Sequence, residues 1–303
     1  MEHGTPLMNE PDTLALRRGF EAEYPFASHF LDLDGYRYHY VDEGRGEPLV
    51  CVHGNPTWSF AWRNIIKDLA GNHRVLAVDH IGCGFSEKPQ RYAYRLEQHI
   101  ANLARWIETL DLRKITLLAH DWGGAIGLGA AVRMPERFGR IVLFNTAAFR
   151  SRQIPLRISV CRMPLFGPLA VRGLNAFARA ALTMAVCHPE RLTSEIRAGY
   201  LAPYHDWAAR VAVLRFVQDI PLQERHPSYA TLVQLENQLC RLQSLPMLLV
   251  WGMRDWCFTP AFLHEFQTRF PNAETLSLDG AGHYVFEDAI EHILPRLHKF
   301  LLP

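Results

Sequence analysis

The chain has 303 residues, 49% of them apolar, with a formal net charge of +1, so a large core is available and no global field favours nucleic acid or anionic polymers. The cysteines Cys51, Cys83, Cys161, Cys187, Cys240 and Cys257 are scattered and form no C-x-x-C pair. That excludes a zinc ribbon or a disulfide framework and suits a reducing cytoplasm.

Residues 1–30 mix acids, bases and prolines, and no signal peptide is expected there. No run approaches the roughly 18 uncharged apolar residues of a spanning helix. Residues 30–41 (FLDLDGYRYHYV) read as a hairpin around an Asp34-Gly35 turn. Short apolar runs follow at Pro48–Val52, Val75–Val78, Ile115–Ala119, Ile141–Phe144 and Met247–Trp251, with a last strand near 274–278. Runs apolar on both faces suit buried parallel strands. Segments able to form helices lie at 58–70, 95–110, 123–134, 261–269 and 289–302. The alternation predicts an α/β fold: a mostly parallel eight-stranded sheet with helices on both faces.

Residues 147–243 break that rhythm. They are helix-like and punctuated by Pro155, Pro164, Pro168, Pro203 and Pro221. They read as a helical cap inserted between two strands, dividing the core into residues 1–146 and 244–303. Eight arginines and only two acids, Glu190 and Glu195, lie between Arg150 and Arg197. Such a surface is either a set of solvated helix faces or a face that docks on a membrane or an acidic partner.

The run Leu117-Leu118-Ala119-His120-Asp121-Trp122-Gly123-Gly124 places one polar residue between an apolar strand and a helix. Small-x-nucleophile-x-Gly at a strand-to-helix turn is the nucleophile elbow of α/β hydrolases, whose tight bend tolerates only small flanks. The flanks here are Ala119 and Gly123, and the nucleophile position holds Asp121. A carboxylate is ionised at neutral pH and suits displacement at an sp³ carbon, giving an enzyme ester. Taken alone, Asp121 could equally be an N-cap of the helix that follows.

The other pieces come in the expected order of nucleophile, acid, histidine. Asp255 stands just past the strand 247–251, and His283 follows the flexible Asp279-Gly280-Ala281-Gly282. Catalytic groups collect at such strand ends, and Asp255 would orient His283 and stabilise its protonated form. The alternative acid position after the preceding strand, Phe144-Asn145-Thr146-Ala147, has no carboxylate. After the strand 48–52, His53-Gly54-Asn55-Pro56 supplies backbone N–H groups facing the elbow. The Asn55 amide and the Trp122 indole add donors for a leaving group that departs as an anion. Asp79-His80-Ile81-Gly82-Cys83-Gly84 lacks the third glycine of a dinucleotide site and reads as a fold-supporting turn; no phosphate-loop or zinc motif occurs. No cofactor and no metal is expected.

HGNPTWSFAWR, DHIGCGFSEKP, HDWGGAIG, WGMRDWCFTP and AGHYVFEDA resemble the haloalkane dehalogenase branch of the α/β hydrolases over the whole chain. That resemblance implies a triad at Asp121, Asp255 and His283, with Asn55 and Trp122 holding the departing halide. In the cap, RGLNAFARAAL, RAGYLAPY and RFVQDIP resemble the β-lactone decarboxylases of bacterial long-chain olefin biosynthesis. This implies conversion of cis-3,4-dialkyl-β-lactones to cis-alkenes and carbon dioxide. It also implies work beside an acyl-condensing enzyme, a reductase and a β-lactone synthetase. Asp121 could attack the ring carbon bearing oxygen or the lactone carbonyl. Hydrolytic dehalogenation is the alternative. Epoxide hydrolysis stands third, with Tyr200, Tyr204 and Tyr229 as the available cap acids.

Overall fold

The computed structural model describes residues 10–302, so the first nine residues of the N-terminal stretch expected to lack a signal peptide lie outside the described residues. After a short helix α1 (Glu10–Leu16), the hairpin forms from β1 (His29–Leu33) and β2 (Tyr36–Gly44). Asp34 and Gly35 both take positive φ, 56° and 85°, the backbone that a two-residue hairpin turn demands. The core then alternates as expected through β3 (Pro48–Val52), α2 (Arg63–Leu69), β4 (Arg74–Val78), α3 (Leu96–Thr109), β5 (Ile115–Asp121), α4 (Trp122–Arg133) and β6 (Phe138–Thr146). Five helices stand between β6 and β7: α5 (Leu156–Cys161), α6 (Ala176–Met184), α7 (Ser194–Leu201), α8 (Val211–Gln218) and α9 (Tyr229–Gln238). The core resumes with β7 (Met247–Gly252), α10 (Pro260–Arg269), β8 (Glu274–Leu278), α11 (Val285–Asp288) and α12 (Ile290–Leu301).

The eight strands form one sheet in the order β1-β2-β4-β3-β5-β6-β7-β8. The pairs β1–β2 and β2–β4 are antiparallel and the rest parallel. Alternate side chains of each central strand feed opposite cores. Val50, Val52, Leu76 and Val78 face α3, α4 and α10, while Leu49, Cys51, Val75 and Ala77 face α2 and α12. Burial on both faces is why these strands read as unbroken apolar runs.

Two boundaries differ from expectation. The helix expected over 58–70 is a 3₁₀ turn, Ser59–Trp62, followed by α2. β6 begins three residues before its apolar run, because Phe138 and Arg140 still pair with β5 across an irregularity at Gly139, and Gly139 and Arg140 interrupt the hydrophobic signal. Helix α4 packs hard against the sheet: a Cβ on Gly123 would collide with the Val52 carbonyl, and one on Gly124 with Thr146. Close packing therefore accounts for the glycines of this helix. No helix among the described residues is long and apolar enough to cross a membrane.

Candidate active site

The site forms where β3, β5, β6 and β7 end together at the carboxyl edge of the sheet. At the end of β5 the chain must reverse into α4 within one residue, and Asp121 does this at φ 54° and ψ −127°. A non-glycine residue in that region is strained and persists only when its surroundings enforce it. The enforcing contacts are visible. The Asp121 carbonyl accepts a hydrogen bond from the Thr146 hydroxyl. A Cβ on Gly54 would overlap the Asp121 carboxylate, so only glycine lets the loop after β3 come this close.

The Asp121 carboxylate is buried. Its Oδ1 accepts the backbone N–H of Asn55 at 2.6 Å, and the backbone N–H of Trp122 also favours its charged form. Burial pushes its pKa up; the charge of His283 and the two N–H donors oppose this and stabilise the ionised form. Its Oδ2 lies 3.8 Å from His283 Nε2. The opposite ring nitrogen, His283 Nδ1, bonds Asp255 Oδ2 at 2.8 Å. Asp255 is fixed in turn, its Oδ1 accepting the Cys257 N–H at 2.6 Å. Burial alone would lower the His283 pKa, but the charge and hydrogen bond of Asp255, joined by the charge of Asp121, raise it above the ordinary value. The imidazole is further held by His120 Nε2 bonding the His283 carbonyl at 2.9 Å and by a stacked Phe258 ring. The three residues expected to act together thus meet, in the expected order and geometry.

Asn55 and Trp122 both border the same cavity as Asp121 and His283. The Asn55 amide donates one N–H to the Val213 carbonyl of α8 at 3.1 Å, which fixes the amide plane and leaves its second N–H for a ligand. The loop carrying Asn55 is buttressed from behind, where Asp79 receives the N–H groups of Ser59 and Phe85 at 2.7 and 2.8 Å and bonds His39 at 2.7 Å. The Asp79–Ser86 motif is therefore a support for this loop, as its sequence suggested.

The cavity measures about 700 Å³ and is walled mainly by apolar side chains, within the range of sites that bury most of a small molecule. The core contributes Trp122, Phe258 and Phe262, the insertion Phe149, Ile158 and Phe177. None of Tyr200, Tyr204 and Tyr229 lines it. The hydroxyls of the first two are committed to Glu287 and to the Thr57 carbonyl, so the epoxide-hydrolase arrangement lacks its cap acid. Among the described residues no three metal-ligating side chains form a metal-holding group.

Sequence reading missed two supporting residues. Asn145 lies at the end of β6, in the stretch that offered no carboxylate; its side chain both accepts from the Gly252 N–H (2.7 Å) and donates to the Gly252 carbonyl (3.1 Å), locking the turn that leads to Asp255. Asp288, buried behind the histidine loop, accepts the N–H groups of Gly282 (2.8 Å), Cys187 and His188 (both 2.9 Å). Neither residue has a signal of its own: Asn145 sits in an apolar strand and Asp288 among the residues that follow His283, and both act on main-chain groups.

A strained carboxylate elbow on this sheet, facing a histidine oriented by a second carboxylate, defines an enzyme of the α/β-hydrolase fold family, and the chain belongs to that family. The model of the alpha/beta hydrolase fold matches residues 47–164. The chain is 40% identical to the cis-3-alkyl-4-alkyloxetan-2-one decarboxylase of Shewanella oneidensis, over 91% of this chain and 89% of that protein. It is 36% identical to the decarboxylase of the same name from Xanthomonas campestris pv. campestris, over 92% and 97%. Haloalkane dehalogenase 2 of Mycobacterium tuberculosis is 33% identical, over 89% and 93%. Among solved structures, the haloalkane dehalogenase DatA from Agrobacterium tumefaciens superposes with a TM-score of 0.81 at 30% identity, covering 90% of this chain and 95% of that one.

Proposed function

We propose that the protein is a β-lactone decarboxylase that converts cis-3,4-dialkyl-β-lactones to cis-alkenes and carbon dioxide through an ester on Asp121. The observation that carries this reading is the likeness to the oxetanone decarboxylases along nearly the whole chain, helical insertion included. The large apolar cavity ending on a single carboxylate supports it, since a lactone with two alkyl arms needs such a chamber.

In this reading Asp121 attacks the ring carbon that bears oxygen, from the face opposite that oxygen. The C–O bond breaks and its electrons pass to the lactone carboxylate, which is received by the free N–H of Asn55 and by the Trp122 indole. The new carboxylate then sheds carbon dioxide. The electrons of the broken C–C bond form the alkene and expel Asp121 as its carboxylate. Atoms and charge balance with no water and no net proton transfer. Inversion at the first step followed by anti loss at the second returns the cis alkene. A protonated His283, 3.8 Å away, would stabilise Asp121 as the departing anion. Attack at the carbonyl would instead form an anhydride that needs water to resolve. Residues 147–243 act as the cap over a core of 1–146 and 244–303, and no cofactor takes part. The reading includes a reducing cytoplasm, on the cysteine spacing, and work alongside the acyl-condensing, reducing and lactone-forming enzymes that must supply the substrate.

The test is a cis-dialkyl β-lactone labelled with ¹⁸O in the ring, with products followed by gas chromatography and mass spectrometry. A cis-alkene with the label in carbon dioxide is expected; absence of alkene rejects the reading, and label released to water rejects attack at the ring carbon. A bromoalkane run in parallel addresses the second reading, dehalogenation, which the shared architecture and the paired donors Asn55 and Trp122 favour. If that reaction is native, the His283→Ala variant accumulates an alkyl ester on Asp121, visible by mass.

A further inference from the structure

Single exposed apolar side chains are ordinary on a protein surface, whereas a concentration of them is not. Among the described residues, six large apolar side chains at least half exposed fall within residues 156–174 of the helical insertion. Leu165 is 88% exposed and holds its bulky side chain out from a backbone at φ 66°. Leu169 and Leu174 are 61% and 67% exposed. Trp207 extends the patch beside Gly173 and beneath the Arg172 guanidinium. The patch is continuous with the cavity, because Leu156 and Phe166 are exposed and also form its wall.

The segment that carries the patch has charge of one sign, although Asp206 adjoins it beside Trp207. No acidic residue occurs between Ala147 and Pro189. Of the arginines there, Arg152, Arg162 and Arg179 have no carboxylate within ion-pair distance among the described residues. An apolar face whose segment also carries guanidinium groups without ion pairs complements a surface that is apolar inside and anionic at its rim.

We propose that this face docks on an anionic lipid bilayer, with Leu165 and Leu169 entering the acyl region and the arginines meeting headgroup phosphates. The cavity mouth then opens directly toward the lipid, so an apolar substrate enters and a hydrocarbon leaves without crossing water. That last consequence rests on the reading of the cavity given above; the docking does not.

Flotation of the full-length protein with vesicles tests it. Binding is expected to phosphatidylglycerol-containing vesicles, weaker binding to pure phosphatidylcholine, and partial release by salt as the phosphate contacts are screened. Leu165→Glu/Leu169→Glu, outside the cavity wall, is expected to bind anionic vesicles at least about tenfold more weakly while turning over a short soluble substrate as the wild type does. A wild type that stays unbound, or a double variant that floats equally well, overturns the proposal. So does gel filtration in which the wild type is a dimer, the variant a monomer, and neither floats: a second copy then covers the face. Flotation is scored without turnover, so protein that floats yet converts neither test substrate keeps the docking and loses the catalytic reading.

Discussion

At His283 two carboxylates act on one imidazole, Asp255 through a hydrogen bond of 2.8 Å and Asp121 through space at 3.8 Å. Their effect opposes burial and raises the His283 pKa above its ordinary value of about 6.5, so the protonated ring persists to higher pH than in a free histidine. The sign separates the two reactions. If imidazolium assists departure of Asp121, decarboxylation is full only where Asp121 is ionised and His283 still protonated, and falls as pH rises through the raised His283 pKa. Hydrolytic dehalogenation needs the neutral ring as base and rises over the same interval. The pH profile of kcat on a β-lactone is expected to show, above the acidic limb on which Asp121 ionises, a descending limb that His283→Gln abolishes; activity that instead rises through the histidine interval would refute the imidazolium role. The linked stability has the same direction: the protonated pair stabilises the fold fully below the ordinary histidine value, and that contribution is lost as pH rises through the folded-state pKa.

At the scale of elements, the histidine loop is set by what lies behind it. Asp288 at the end of α11 ties the loop, through Gly282, to the segment between α6 and α7, through Cys187 and His188. The Tyr284 N–H bonds the Ala185 carbonyl at 2.8 Å and closes the same junction. Asp288→Ala strands one buried and two partly buried N–H donors and is expected to cost about 2–3 kcal/mol, since a buried donor left without its partner costs about 1–3 kcal/mol; urea denaturation measures it. Asp121, Asp255 and His283 were legible because the elbow demands small flanks and the other two follow strand ends. Asp288 and Asn145 were not, because their partners are main-chain groups from distant elements, and an N–H group carries no residue identity. The same holds for the Asn55 amide: its position was legible, its bond to the Val213 carbonyl 158 residues away was not. The strand interiors were readable from two-sided burial; β6 began earlier than its apolar run for lack of any apolar residue at Gly139 and Arg140.

Across the whole molecule, one buried knot joins three regions of chain. Arg63 on α2 forms paired bonds of 2.5 and 2.7 Å to Glu287 on α11, and the Tyr200 hydroxyl on α7 adds a third at 2.6 Å. Burial would lower the Arg63 pKa, but Glu287 more than offsets this and raises it, so the guanidinium is charged at every accessible pH. Removing one partner leaves an uncompensated buried charge, and Glu287→Ala is expected to destabilise by about 3–5 kcal/mol in chemical denaturation. Tyr200→Phe, which removes only the hydroxyl, is expected to cost about 1–3 kcal/mol, because the remaining pair stays intact.

The bond from Asn55 to α8 has a mechanical meaning. In the proposed reaction, an outward swing of α8 would also release the amide that receives the departing anion. Egress and competence would then be coupled: an enzyme caught ajar would be idle rather than leaky, with bulk water meeting a receptor already dismantled.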